Sequence, residues 1–265
     1  NALDLASTGA LLDALGRVSD ERGRLTRTFL SPAMRRANAL VGGWMRAAGL
    51  TVCKDATGNL IGRYDATGGA VDGTTRARAS ALADRKPKTL LLGSHLDTVR
   101  EAGKFDGALG VLLPIVALGE LRRRGVTLPF HVEVIGFSEE EGVRFSSAYL
   151  GSKGYTGQLR ASDLKLRDAA GATVREALKD YAIRRFTLPK PAHPESNLLG
   201  YLEVHIEQGP VLEADKLAVG VVLAIAGQTR GRLAFRGQAG HAGTTPMMLR
   251  RDALAGAAEF VLAAE

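Results

Sequence analysis

Two histidines in the sequence each stand at the end of an apolar, strand-like run and have a carboxylate nearby. Asp97 follows His95 by two residues and can accept a hydrogen bond from its second ring N–H. Such a hydrogen bond fixes the tautomer and is typical of metal-binding histidines. His205 ends another predicted strand, 201–206, with Glu203 as a candidate partner. A core histidine satisfied by a neighbouring carboxylate is the alternative for both segments.

Other carboxylates lie where further elements are predicted to begin or end. Asp106 precedes a predicted helix at 107–124 and can be its N-cap, or it can bridge two metal ions if it shares a cleft with His95. Three glutamates, 139–141, directly follow an apolar strand at 130–137. Adjacent carboxylates there cost folding free energy unless cations neutralise them or water solvates them. Either this is a solvated acidic loop, or one glutamate binds metal while its neighbour takes a proton from water.

Two further segments extend this set of candidate site residues. Gln208 follows His205 closely and is a candidate substrate contact. His241 lies in a glycine-rich turn at 240–246, which is either a surface turn or the support of an imidazole that stabilises an oxyanion. Imidazole and carboxylate without thiolate suit Zn, Mn, Co or Ni. Repeated placement at strand ends favours one cleft at the carboxyl edge of an α/β sheet.

The apolar pattern predicts the elements that would position these side chains. Ser31-Pro32 begins a helix that Gly49 ends. Strands are predicted at 51–53, 59–64, 89–93, 130–137 and 201–206. Their alternation with the helix at 107–124 predicts an α/β fold with a mixed, partly parallel sheet. The remaining predictions are an exposed loop at 66–86, a β-hairpin from 220–225 and 230–236, and a helix at 250–265.

The composition excludes several classes of protein. The chain has 265 residues, 45% hydrophobic and 24% charged, which excludes global disorder. One cysteine excludes a disulfide framework, and no apolar run approaches the roughly 20 residues of a membrane span. We therefore expect a cytoplasmic protein with no membrane partner and no secretion signal. The net charge of +7 is spread along the chain and aromatics are only 5%, so no nucleic-acid partner is expected.

Five motifs together resemble those of the M20 metallopeptidase-like amidohydrolases. They are Gly-Ser-His-Leu-Asp-Thr-Val at 93–99, Phe-Asp-Gly at 105–107, Glu-Glu-Glu-Gly-Val-Arg-Phe at 139–145, His-Ile-Glu-Gln-Gly-Pro at 205–210 and Gly-His-Ala-Gly-Thr-Thr-Pro-Met at 240–247. The most similar branch comprises allantoate amidohydrolases, N-carbamoyl-L-amino-acid hydrolases and β-ureidopropionases. The resemblance runs from about residue 10 to the last residue.

This resemblance implies a Zn-peptidase-like catalytic domain that holds two divalent metal ions. It also implies a smaller α+β lid and dimerisation domain, through which the protein would form a homodimer. The catalytic domain would occupy 1–213 and the start of the lid 214–265. His95 and His205 would each bind one metal ion, and Asp106 would bridge both.

The resemblance also assigns the catalytic roles. The glutamate directly before the glycine, Glu141, would be a metal ligand, and Glu140 would be the general base, with Glu139 the less favoured base. Gln208 would contact the substrate. His241 would polarise the scissile carbonyl while water attacks it.

A small ureido carboxylate is the implied substrate. The motifs Phe-Ser-Glu-Glu-Glu-Gly-Val-Arg-Phe at 137–145 and Ile-Ala-Gly-Gln-Thr-Arg at 225–230 are most similar to allantoate amidohydrolases, which release ammonia and carbon dioxide. N-carbamoyl-L-amino-acid hydrolase or β-ureidopropionase is the second expectation. Family members carry a further lid segment, a carboxylate-binding arginine and a last metal-binding histidine that have no counterpart here. A truncated or inactive fragment, with weak binding of at least one metal and poor turnover, is therefore the third expectation.

Overall fold

The computed structural model of the protein describes residues 8–66, 87–181, 183, 186–227, 229 and 231–265. They form two compact units, Asn1–Gln208 and Gly209–Glu265. The sequence predicts this boundary slightly later, between 213 and 214. All but the first residue of the loop predicted at 66–86 lie outside the described residues. No helix in the described ranges is long and apolar enough to span a membrane.

The first unit contains helices and strands in alternation. Its helices are α1 (Thr8–Gly16), α2 (Pro32–Ala47), α3 (Ala108–Arg123), α4 (Leu150–Tyr155) and α5 (Val174–Asp180). Its strands are β1 (Thr51–Lys54), β2 (Leu60–Tyr64), β3 (Thr89–His95), β4 (His131–Phe137) and β5 (Leu198–Leu202). Short 3-10 turns lie at Asp163–Lys165 and Glu195–Asn197.

The strands form one mixed sheet in the order β1-β2-β4-β3-β5. β3 runs parallel to β4 and β5, whereas β1 pairs antiparallel with β2, and β2 with β4. In the β3–β4 register, His95 lies opposite Phe137. His95 and the acidic run after Phe137 therefore leave the sheet at the same edge. The predicted α/β class with a mixed sheet is confirmed.

Helices α2 and α3 supply much of the hydrophobic core beside this sheet. Helix α2 begins as predicted, because the Ser31 hydroxyl accepts the Met34 N–H at 3.0 Å and Pro32 occupies the first turn. Helix α3 joins β3 to β4 and buries its apolar side chains in the same cluster as α2. This packing fixes the start of α3, and with it Asp106, against the end of β3.

Strand β5 differs from the strand predicted at 201–206. It ends at Leu202, so His205 lies in the segment after the strand. The Val204 carbonyl passes so close to Gly110 in the first turn of α3 that a Cβ on Gly110 would lie 2.4 Å from it. The chain leaves the sheet after Leu202 and crosses the start of α3, which brings His205 towards Asp106.

The second unit has little regular structure among its described residues. It contains α6 (Val211–Ala214), a 3-10 turn at Met247–Leu249 and α7 (Ala253–Ala264). The hairpin predicted from 220–225 and 230–236 is wrong for the described residues of both segments. A two-stranded hairpin needs another layer to pack on, and no described residue of this unit is buried. Helix α7 begins later than predicted, because Asp252 caps the N–H groups of Leu254 and Ala255 at 2.9 and 3.2 Å.

One buried charged group lies inside the sheet. Glu133 on β4 accepts hydrogen bonds from Arg63 at 2.7 Å, Tyr155 at 2.7 Å and His193 at 3.0 Å. Burial raises the pKa of Glu133, but these three hydrogen bonds outweigh it and hold the pKa below its ordinary value of 4.5. The network joins β2, β4, α4 and the segment that contains His193.

We expect Glu133→Gln to lower the free energy of unfolding at neutral pH by on the order of 1–3 kcal/mol, because a neutral amide replaces a multiply bonded carboxylate. A folded-state pKa below the unfolded value stabilises above about pH 4.5 and is lost as the pH falls through the folded-state pKa. The deficit should therefore shrink on acidification. Urea titrations at several pH values measure it. Glu101→Gln, in the exposed pair with Arg24, is the control with a small, flat effect; a deficit that stays constant below pH 4.5 would contradict the interpretation.

Candidate functional site

The last residue of β3, His95, is buried with its ring orientation fixed. Its Nδ1 donates a hydrogen bond to the main-chain carbonyl of Asp97 at 2.9 Å, while the nearer Asp97 carboxylate oxygen is 3.7 Å away. The sequence predicts the Asp97 carboxylate as the acceptor; the residue is as predicted, but the accepting atom is its main-chain oxygen. Because the proton is on Nδ1, Nε2 of His95 carries the free lone pair of the ring.

The Asp97 carboxylate binds the main chain of the acidic run instead of the His95 ring. It is buried and accepts the main-chain N–H of Glu140 at 3.0 and 3.1 Å and that of Glu141 at 3.0 Å. Burial raises the pKa of Asp97, although His95 and these two amides oppose the change. Asp97 therefore anchors the acidic run beside His95.

Asp106 does not cap α3, since the N-cap position is Gly107 and no side chain caps the helix. One Asp106 oxygen instead lies 3.2 Å from Nε2 of His205 and 3.8 Å from Nε2 of His95. Gln208, predicted to contact substrate, donates from its amide to both Asp106 oxygens at 3.0 and 3.1 Å. One Asp106 carboxylate oxygen thus lies near the Nε2 atoms of both His95 and His205.

His205 is held in the same way as His95. Its Nδ1 donates to the Ile206 carbonyl at 2.8 Å, which leaves Nε2 directed at Asp106. The ring centroids of the two histidines are 5.8 Å apart. Glu203, a candidate partner of His205 in the sequence, instead accepts hydrogen bonds from Ser94 and from Tyr201. Sequence reasoning missed this link between the ends of β3 and β5, because nothing in the local pattern pairs Ser94 with a residue so distant along the chain.

The three glutamates of the acidic run have different surroundings. Glu140 and Glu141 are half-buried. Burial is the largest effect on the pKa of each and raises it above the ordinary value. Glu139 is 1% exposed, and neither of its carboxylate oxygens has a hydrogen-bond partner among the described residues. Burial, followed by the negative charge of Asp97, raises the pKa of Glu139 to about 9. Of these three glutamates, Glu140 and Glu141 are therefore the ones that are partly open to solvent.

These side chains form two overlapping groups of potential metal ligands. Ligand atoms of His95, Asp106 and His205 lie within 4.8 Å of one another, as do those of His95, Glu140 and Glu141. Imidazole and carboxylate donors at this spacing fit divalent ions such as Zn²⁺ or Mn²⁺. The two groups overlap at His95, whereas the resemblance implies Asp106 as the bridge.

Gly107 is required at its position for two reasons. Its φ is 64°, and a Cβ there would lie 2.5 Å from Nδ1 and Cε1 of His95. We expect Gly107→Ala to displace the His95 ring and weaken metal binding by about 10–100-fold, the usual cost of losing the support of a metal ligand. Metal titration of the purified protein measures it. Gly125→Ala is the matched control, since φ is 69° there but no atom of the described residues beyond its two chain neighbours lies within 4 Å of the added Cβ. Equal metal affinity in the two variants would contradict the steric explanation.

His241 lies in a turn of the second unit. Its Nδ1 accepts the main-chain N–H of Gly243 at 3.1 Å and that of Thr244 at 3.2 Å. A ring nitrogen that accepts two hydrogen bonds carries no proton, so the neutral ring has its proton on Nε2. His241 therefore presents a hydrogen-bond donor, which is what stabilisation of an oxyanion needs.

Comparison with known proteins now identifies the family. The model of peptidase family M20/M25/M40 matches residues 91–264. The chain belongs to this family. All the motifs that contribute His95, Asp106, the acidic run, His205 and His241 lie inside the range matched by the M20 family model.

Relatives within the M20 family carry two kinds of name. A probable allantoate deiminase of rice is 45% identical over 262 residues, 96% of this chain and 49% of the relative. An N-carbamoyl-L-amino acid amidohydrolase of Geobacillus stearothermophilus is 40% identical over 248 residues, 93% of this chain and 57% of the relative. The chain thus spans about half the length of the curated relatives it matches.

Solved structures agree with the fold. A hydantoinase/carbamoylase family amidase from Burkholderia ambifaria has a TM-score of 0.74 at 34% sequence identity. The match covers 98% of this chain and 59% of that chain.

Proposed function

We propose that the protein hydrolyses the C–N bond of a small ureido carboxylate in a metal centre built from His95, Asp106, Glu141 and His205. The observation that supports this most is the convergence of both histidine Nε2 atoms on one Asp106 carboxylate oxygen. Glu140 lies next to this group in the run anchored by Asp97. The names of the M20 relatives supply the substrate class.

The residues of the chain divide the chemistry between them. Two divalent ions, when bound, supply positive charge that polarises a carbonyl and acidifies water. The Glu140 carboxylate takes a proton from the attacking water, and burial, which raises the pKa of Glu140 above its ordinary value, makes it a stronger base. The water oxygen bonds to the ureido carbon, and His241 donates from Nε2 to the oxygen that gains charge. Glu140 returns the proton to the departing nitrogen, so ammonia leaves and the remaining carbamate loses carbon dioxide.

Allantoate is the proposed substrate, with N-carbamoyl-L-amino acids or N-carbamoyl-β-alanine as the alternative. The 45% identity to the rice allantoate deiminase exceeds the 40% identity to the Geobacillus hydrolase and supports this order, although an allantoate amidohydrolase of Escherichia coli is 36% identical. The test incubates the whole protein and Mn²⁺ with each compound and follows ammonia release, with chelated protein as the control. Ammonia from allantoate is expected. Release from carbamoyl amino acids alone would overturn the choice of substrate but leave the reaction class intact.

We also propose a homodimer that forms through the second unit. Helix α7 exposes Leu254, Val261 and Leu262 in a unit whose described residues are all at least partly exposed. An apolar helix face of this kind is typical of a protein interface. Light scattering of the whole protein should give twice the mass of one chain, and a monomer at working concentration would contradict the proposal.

A further inference from the structure

A buried arginine outside the motifs contacts the segment that carries Asp97. Arg27 is 1% exposed and lies between α1 and α2. Its guanidinium donates from Nε to the Leu96 carbonyl at 2.6 Å and from Nη1 to the carbonyls of Val18 at 2.9 Å and Leu15 at 3.2 Å. The side chain thus ties the segment after β3 to the C-terminal end of α1, where carbonyl groups favour a cation.

The main chain of Arg27 holds the other side of the same segment. Its N–H donates to the Thr98 hydroxyl at 2.8 Å, and the Thr98 N–H donates to the Arg27 carbonyl at 2.9 Å. The residues on both sides of Asp97 are therefore attached to Arg27: Leu96 through the side chain and Thr98 through the main chain. A movement of Arg27 must move Asp97.

Arg27 also contributes charge next to a buried carboxylate. Burial lowers the pKa of Arg27 to about 10, and the negative charges of Asp97 and Asp20 oppose this. The guanidinium therefore stays protonated at neutral pH. Asp97 is itself buried, and a buried anion without a nearby cation would be costly.

We propose that Arg27 is a positioning residue for the metal centre. It fixes the segment 96–98, so that the Asp97 carbonyl orients the His95 ring while the Asp97 carboxylate holds the Glu140 and Glu141 amides. Arg27 contacts no proposed ligand directly, and its effect passes through Asp97. This inference rests on the proposed metal centre, but it concerns metal binding and not turnover.

The test measures Co²⁺ affinity and the visible Co²⁺ spectrum in Arg27→Met, Arg27→Lys and Thr98→Val, with unfolding by urea in parallel. Arg27→Met is expected to lose about 10–100-fold in Co²⁺ affinity and to change the spectrum, because the support of His95 is released. Arg27→Lys keeps the charge without the planar fork and should fall between wild type and Arg27→Met. Thr98→Val removes one hydroxyl acceptor from the main-chain attachment and should weaken affinity without removing the charge.

Arg63→Met is the control, because the hydrogen bonds and ion pairs that Arg63 makes with described residues go to Glu133 and Asp65 and not to residues 95–98. It should lose stability while its Co²⁺ affinity and spectrum stay unchanged. If Arg27→Met fails to fold, Arg27→Lys and Thr98→Val decide. Wild-type affinity and spectrum in the folded variants would overturn the inference, as would an equal loss in Arg63→Met. Wild-type protein that binds Co²⁺ but hydrolyses no ureido compound would contradict the proposed function alone.

Discussion

Replacing Asp106 by asparagine is expected to abolish turnover and to weaken metal binding by more than about 100-fold. This exceeds the usual loss when a residue that only hydrogen-bonds to a metal ligand is replaced. The carboxylate lies within 3.8 Å of Nε2 of His95 and 3.2 Å of Nε2 of His205, so its charge serves both. The asparagine keeps the size of the side chain and a hydrogen bond to Gln208 but loses that charge. Metal titration and ammonia release measure the two effects separately.

Asp168→Asn is the matched control for this variant. Asp168 is a poorly exposed aspartate that bonds Arg144 at 3.0 Å and belongs to neither ligand group. Its replacement should lower stability but leave metal affinity unchanged. Metal affinity that survives in Asp106→Asn would show that Asp106 is not the shared ligand.

Replacing Glu140 by glutamine is expected to lower kcat by about 10²–10⁴-fold, the usual contribution of a general base. Metal binding should persist, because the Glu140 main-chain N–H that bonds Asp97 is unchanged. Glu139→Gln should retain most of the activity, since the Glu139 carboxylate is buried and not exposed to solvent beside His95. Steady-state kinetics at saturating metal compare the two variants.

Glu139 and Glu140 are adjacent, and each substitution replaces one carboxylate oxygen by an amide nitrogen. Each variant is therefore a control for the other. A larger loss of kcat in Glu139→Gln than in Glu140→Gln would exchange their roles. Equal metal content in both variants is the condition for this comparison, and it is measured on the same samples.

Local signals in the sequence predict the parts of the fold that local chemistry determines. Ser31-Pro32 marks the start of α2 because a cap and a fixed φ act within one turn. The leucine run before His95 predicts β3 because a strand buried in the centre of a sheet is apolar throughout. These signals place His95 and the acidic run at one edge of the sheet, since parallel neighbours end together.

The parts that sequence reasoning could not predict depend on contacts between distant segments. The end of β5 at Leu202 follows from the crossing of Val204 over Gly110, which no pattern near residue 204 encodes. The hairpin predicted in the second unit has no layer to pack on among the described residues, which local sequence could not show. Arg27 belongs to no motif, and the role proposed for it rests on its hydrogen bonds to residues 96 and 98, far along the chain.

The most direct test of the proposed metal centre is anomalous diffraction from crystals of the whole protein grown with Zn²⁺ or Mn²⁺. Strong anomalous peaks are expected within bonding distance of Nε2 of His95, Nε2 of His205 and the Asp106 carboxylate, with Glu141 as a further ligand and Glu139 not a ligand. Peaks at other residues, or no peak at these side chains under saturating metal, would contradict the proposed metal centre.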